Sequence, residues 1–196
     1  MKDWYTVSTQ TKWGDYWRIL IAGMTAHLPR RGDRLQLERT GPFVPPMVTS
    51  GMDDLIIVER MKATMQLCQG VIGFRPVHKS RIVRLDWVLW QLDGDCPELL
   101  RFQEPEDVVL QGEHDHQLAD EIGEIYEVLL DSDGIIECDF DDGGNPLNTF
   151  LDLPTRRLDL FSARTVGGFA VPIGTEQFVR GLSDECKRWL EFNPVS

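Results

Sequence analysis

The chain lacks several things that would have assigned it quickly. No apolar run approaches the length of a bilayer-spanning helix. The opening MKDWYTVSTQTKWGDYW has no apolar centre and carries Asp3 early, so no secretory leader is expected. Cysteine is scarce and dispersed: Cys68, Cys96, Cys138 and Cys186 form no Cys-x-x-Cys pair. That pattern points to reduced thiols in the cytoplasm rather than to a disulfide frame or a zinc knuckle. There is no Gly-x-Ser-x-Gly elbow, no P-loop and no glycine-rich dinucleotide fingerprint, and Gly167-Gly168 stands without either surrounding motif. Clustered Lys and Arg are too few for nucleic acid or an anionic membrane face to be the main partner.

Bases are scarcest between residues 93 and 142. That stretch holds eighteen carboxylates against the single base Arg101, a local net charge of −17 in a chain whose total is −12, so the other 146 residues sum to +5. Crowding like charges costs a folded chain self-repulsion, so the pattern calls for a reason outside folding. The plainest is a basic partner steered to an acidic face. An apolar fraction of 42% with six Trp and nine Phe is ample for a buried core.

Two stretches echo one another. Asp53–Val77 and Gly167–Val195 both end in Cys-x5-Phe-x-Pro-Val, through Cys68, Phe74, Pro76 and Val77 and through Cys186, Phe192, Pro194 and Val195. Both open with an apolar run, and Met61 and Met65 answer Phe178 and Leu182 at the spacing of one helix face. Each reads as strand, helix, strand, with the Cys side chains as small buried hydrophobes. The expectation is an α+β fold: two related strand–helix–strand lobes around a mixed or antiparallel sheet, joined by an acidic helix-containing segment. Residues 1–196 then form one domain, with lobes 1–92 and 143–196 bridged by 93–142.

Within the bridge, Leu118, Ile122, Ile125 and Leu129 recur at 4-3-4 spacing, which predicts a helix over 117–130 with Asp120, Glu121, Glu124 and Glu127 on its wet side. Asp131-Ser132-Asp133-Gly134 predicts a turn, and Ile135–Phe140 a short strand. Asp131 to Ile136 matches the middle of a calcium loop but fails at both ends, where ligand positions fall on Leu129 and Phe140. Glu113-His114-Asp115-His116 places two imidazoles within reach of one transition metal, with no third ligand signalled. A metal-dependent hydrolase built on the 113–142 His and carboxylate cluster is therefore the alternative reading. The preferred one is not an enzyme: it nominates no catalytic, cofactor-binding or metal-ligating residue and expects no cofactor.

Several phrases occur together: Glu38-Arg39-Thr40-Gly41-Pro42-Phe43-Val44-Pro45-Pro46, Gly73-Phe74-Arg75-Pro76-Val77, Arg81-Ile82-Val83-Arg84-Leu85-Asp86-Trp87, Asp159-Leu160-Phe161, Gly168-Phe169-Ala170-Val171 and Leu190-Glu191-Phe192. With them the chain resembles the immunity proteins of bacterial polymorphic-toxin and type VI secretion systems. The resemblance implies a small protein that binds a cognate toxin domain and blocks it, and it carries no active-site residue across. Joined to the charge pattern, it predicts a basic, nuclease-type toxin partner, with no nucleic acid or membrane as partner. The expected contact residues are Asp120, Glu121, Glu124, Glu127, Asp131, Asp133, Asp139, Asp141 and Asp142.

Overall fold

A computed structural model describes residues 4–13, 15, 17–25, 27–40, 43–50, 54–85, 91, 93–95, 103–140 and 146–196. Strand accounts for 44% and helix for 21%. The strands are β1 (Trp4–Thr9), β2 (Gln36–Thr40), β3 (Met47–Ser50), β4 (Asp54–Val58), β5 (Val71–Pro76), β6 (His78–Val83) and β7 (Ile125–Leu130), then β8 (Ser132–Phe140), β9 (Pro146–Asp152), β10 (Leu160–Thr165), β11 (Ala170–Thr175) and β12 (Leu190–Val195). The helices are short: α1 (Ile19–Ala22), α2 (Lys62–Met65), α3 (Pro105–Gln111), α4 (His116–Glu121), α5 (Glu176–Gly181) and α6 (Asp184–Lys187).

Six strands close a barrel in the order β1-β11-β10-β8-β9-β12. Beside it stand a four-stranded sheet, β3-β4-β7-β5, and a parallel pair, β2-β6. The barrel interior is filled by Ile136, Phe161, Ala163 and Ile173, with Trp4 edge-on to Phe150 and Phe161 at 6.0 and 5.3 Å. So small a barrel is a packed core and not a channel.

The expected pair of α+β lobes is overturned. Both echo stretches do run strand, helix, strand: β4–α2–β5, and β11–α5–α6–β12. Yet β4 and β5 are separated by antiparallel β7, and β11 and β12 by antiparallel β1. Neither unit closes on itself, because each takes its central strand from elsewhere in the chain. One core then serves both: Met47, Leu55, Ile57, Met65 and Val128 from the four-stranded side pack with Val7, Leu160, Phe178, Leu182 and Cys186 from the barrel side. Cys186 Sγ lies 3.9 Å from Met61 Sδ, so the two echoed helices meet inside that core. A sheet with one apolar face must bury it against another layer, and here each sheet is the other's cover.

Side chains stitch the seam. Thr49 N–H donates to Thr9 Oγ1 at 2.7 Å, and Thr9 N–H donates to Thr49 Oγ1 at 2.8 Å, so hydroxyls stand in for ladder partners between β1 and β3. At the opposite edge Gly70, with φ +105°, accepts the Asp131 N–H at 2.7 Å, and Gln69 accepts the Leu160 N–H at 3.1 Å.

The helix expected over 117–130 is also corrected. Asp115 caps α4 by accepting the Leu118 N–H at 2.8 Å, but the helix stops at Glu121 and Gly123 adopts φ +72°. That left-handed residue ends the helix, and the chain continues as β7. Ile125, Glu127 and Val128 are buried in β7 between two neighbouring strands, which the 4-3-4 spacing did not distinguish from a helix face. The turn expected at 131–134 is absorbed into the start of β8, and Gly134 takes φ +78° there.

Candidate functional site

The acidic stretch does not form one surface. Its described carboxylates lie chiefly on three layers, and Asp93, apart from them, pairs with Arg188 at 3.2 Å.

The first group lies on the α3–α4 layer, which covers the β2–β6 pair. Pro105 at the first helical position, with Glu106 and Asp107 in the first turn, starts α3. Its buried Val109 meets Ile19 and Met24, while Leu118 and Ala119 of α4 pack on Ile82. The bases beneath are committed to the backbone. Lys79 Nζ donates to the carbonyls of Ala119 and Gly123, the latter at 2.9 Å, and Arg81 Nη1 donates to Leu110 O at 2.6 Å. Those carbonyls sit at helix C-termini, where a cation is favoured. Arg84 Nε pairs with the cap Asp115 at 2.5 Å and holds its carboxyl below the usual range, helped by the Leu118 N–H. Glu104, Glu106, Asp107, Glu113, Asp120, Glu121 and Glu124 are all exposed, and among the described residues none of them forms an ion pair. Among the described residues this layer therefore presents seven exposed carboxylates outside any salt bridge, with Glu121 within the electrostatic reach of Arg84.

Glu127 belongs to a second group and lies on β7, not on the wet side of a helix. It is 7% exposed and receives Arg30 in bidentate fashion, both N–O distances being 2.9 Å, and Arg75 at 3.2 Å. Arg75 also reaches Asp33 at 3.3 Å, and Arg30 reaches Asp54 at 3.4 Å. Burial, and then the neighbouring charge of Glu127, push Asp54 up to about 6. Glu127 is a structural counter-ion and is withdrawn as a contact residue. Arg30, in the segment that precedes β2, supplies the partner, and nothing local in sequence links it to a residue 97 positions away.

The third group sits on the barrel. Asp131 and Asp133 are both clasped by Arg156, whose backbone N–H donates to Asp133 Oδ2 at 3.0 Å and whose Nη2 donates to Ser132 O at 2.9 Å. They are thus partly neutralised. Asp139 is exposed on β8, on a different layer from α4, while Asp141 and Asp142 lie outside the described residues. Of the nine carboxylates expected to act together, Asp120, Glu121 and Glu124 share a layer, joined by Glu104, Glu106, Asp107 and Glu113, which the sequence reading did not nominate.

Between the end of β6 and the α3–α4 connection runs a groove of about 580 Å3, lined by residues that include Arg84, Gln103, Gln111, Glu113 and His114. Here the two imidazoles of the Glu113–His116 cluster stack edge-on at 4.4 Å. The Ile82 N–H donates to His114 Nδ1 at 3.0 Å, and Asp115 N–H donates to Ile82 O at 2.7 Å. The segment is docked on β6 like a short extra strand, and one ring nitrogen of His114 is used to do it. Among the described residues no group of three or more His, Cys, Asp or Glu side chains is placed to hold a metal ion.

That hydrogen bond requires neutral His114, and burial, then the charge on His116, lower its affinity for protons. With the folded-state pKa below the unfolded one, the unfolded chain takes up protons first on acidification, so stability falls as pH drops below about 6.5. Asp54, like Asp15 (raised to about 6 mainly by burial), works the other way, since a carboxyl raised in the fold stabilises at low pH and loses that contribution as pH rises from 3.8 to about 6. The His114 contribution is therefore read by difference. Between pH 7 and 5 the thermal midpoint should fall more in the native protein than in His114→Gln, and equal slopes would show that the imidazole plays no such part.

Among the described residues no helix is long and apolar enough to cross a membrane. Comparison with protein-family models, with curated proteins and with solved structures finds no match to this chain.

Proposed function

We propose that this protein is an immunity protein, acting in the cytoplasm, that binds a cognate secreted toxin and neutralises it, the toxin being a basic nuclease-type domain. The observation that carries the reading is the α3–α4 layer, with seven exposed carboxylates and its nearby bases spent on helix-terminal carbonyls and on Asp115. A nuclease domain needs a cationic groove for phosphates, and a rigid array of carboxylates can occupy such a groove in their place. Such complementarity acts most strongly on the rate of encounter. The resemblance to immunity proteins of polymorphic-toxin systems points to the same role.

The test is co-expression of this protein with a basic nuclease-type toxin domain, sought first in the reading frames beside its own gene, scored by survival and followed by binding kinetics. Glu106→Lys, Asp120→Lys and Glu121→Lys together should slow association at least tenfold at low salt and flatten its salt dependence. Unchanged association would remove the layer from the interface, and death of the co-expressing cells would remove the function.

A further inference from the structure

Nine large apolar side chains are exposed among the described residues, and six of them gather on one part of the barrel: Ile135, Leu147, Leu151, Leu153, Val166 and Phe169. The strand registers bring them together. Ile135 of β8 is paired with Arg164 of β10 on one side and with Asp152 of β9 on the other. Leu147 stands opposite Asp139, and the turn holding Val166 and Phe169 follows Thr165, the partner of Ile136. Alternation along β8 and β10 puts Ile136, Phe161 and Ala163 inside the barrel, so Ile135, Glu137 and Arg164 face out. At Leu151 the β8–β9 register slips by one residue, between the pairs Ile135–Asp152 and Ile136–Phe150. Such a bulge lets two consecutive residues share a face, and both Leu151 and Asp152 are exposed.

An exposed apolar patch of this kind marks a contact surface. Its charge selects the occupant. The acids Glu137 and Asp152 are interleaved with the apolar side chains, and Arg164 is the base among them. In a chain of net charge −12, pairing this wall with a second copy would bring acid against acid. A protein surface with an apolar centre and a rim of Lys and Arg fits instead. The α3–α4 layer, for its part, carries no exposed large apolar side chain among its described residues. Acids alone supply encounter rate, whereas long residence in a complex needs buried apolar anchors.

We infer that the outer wall of β8, β9 and the β10–β11 turn is the apolar anchor of the complex with the basic partner, the part that sets how slowly it comes apart. This rests on the immunity reading above. The experiment uses the full chain and, as probe, the basic nuclease-type toxin domain of the co-expression test, with association and dissociation rates measured for native protein and for Leu147→Ser/Leu151→Arg. The expected result is a dissociation rate raised at least tenfold with association within about twofold. Glu137→Lys, a single exposed substitution, reads the same wall if the pair lowers the thermal midpoint, and it too should speed dissociation. Native binding with unaltered dissociation in both variants overturns the wall while leaving the immunity reading standing. No binding by the native protein overturns both. A native dimer by sedimentation velocity that Leu151→Arg converts to a monomer assigns the wall to a second copy and overturns the basic partner.

Discussion

Gly70→Ala should abolish stable folding or destabilise the protein by more than about 3 kcal/mol. A Cβ built on Gly70 would lie 2.0 Å from the Leu160 carbonyl oxygen, a backbone atom, and the residue has φ +105°. The segment cannot step aside, because Gly70 O accepts the Asp131 N–H and Gln69 O accepts the Asp159 and Leu160 N–H groups at 2.8 and 3.1 Å. Those bonds join the approach to β5 to the starts of β8 and β10, so relief of the clash would open the seam between sheet and barrel. Gly123→Ala is the control. It has φ +72° and nothing within 4 Å of its added methyl, so it should cost only the left-handed penalty of about 1 kcal/mol. Urea unfolding of both variants measures the difference. If Gly70→Ala is no worse than Gly123→Ala, the close approach is wrong.

Glu127→Ala should destabilise the protein by about 3 kcal/mol and leave partner binding unchanged. Removing the carboxylate leaves the guanidinium groups of Arg30 and Arg75 facing each other across the space it filled, without the shared acceptor that now receives both. Two features hold the loss below that of a fully buried pair. Arg30 retains contact with solvent, with 40% of its side chain exposed, and Asp54 stands 3.4 Å from it as a second acceptor. Glu127→Gln, which keeps hydrogen-bonding capacity but not charge, should fall between. Unfolding by urea gives the first quantity, and titration against the toxin domain the second. A stable Glu127→Ala with impaired binding would return the residue to the contact surface from which the geometry removes it.

Some of this was legible in one dimension. The echo between 53–77 and 167–195 rests on local periodicity and on turn and proline positions, and strand, helix and strand do follow one another in both. Cys186 is buried in the shared core as its small volume and apolar setting implied, whereas Cys68 packs against that core and stays partly exposed. What misled was spacing without its punctuation: 118, 122, 125 and 129 suit one helix face, but Gly123 falls in their midst and divides a helix from a buried strand. Along β9, exposed Leu147, Thr149 and Leu151 alternate with Asn148 and Phe150, an alternation that the polar Thr149 and the apolar Phe150 blur in the sequence.

By itself the sequence determined composition, charge segregation and the local alternation of strand and helix, because these depend on neighbours a few positions apart. Tertiary structure alone decided that β1 enters between β11 and β12 and β7 between β4 and β5, so that two echoes become one barrel and one sheet over a shared core. It likewise sorted the acids into the exposed layer of α3 and α4, the Arg30 and Arg75 cluster, and the Arg156 clasp. The physical reason is the same in both cases: strand pairing and ion pairing join residues tens to more than a hundred positions apart, and only the folded geometry says which carboxylate meets a guanidinium and which meets water.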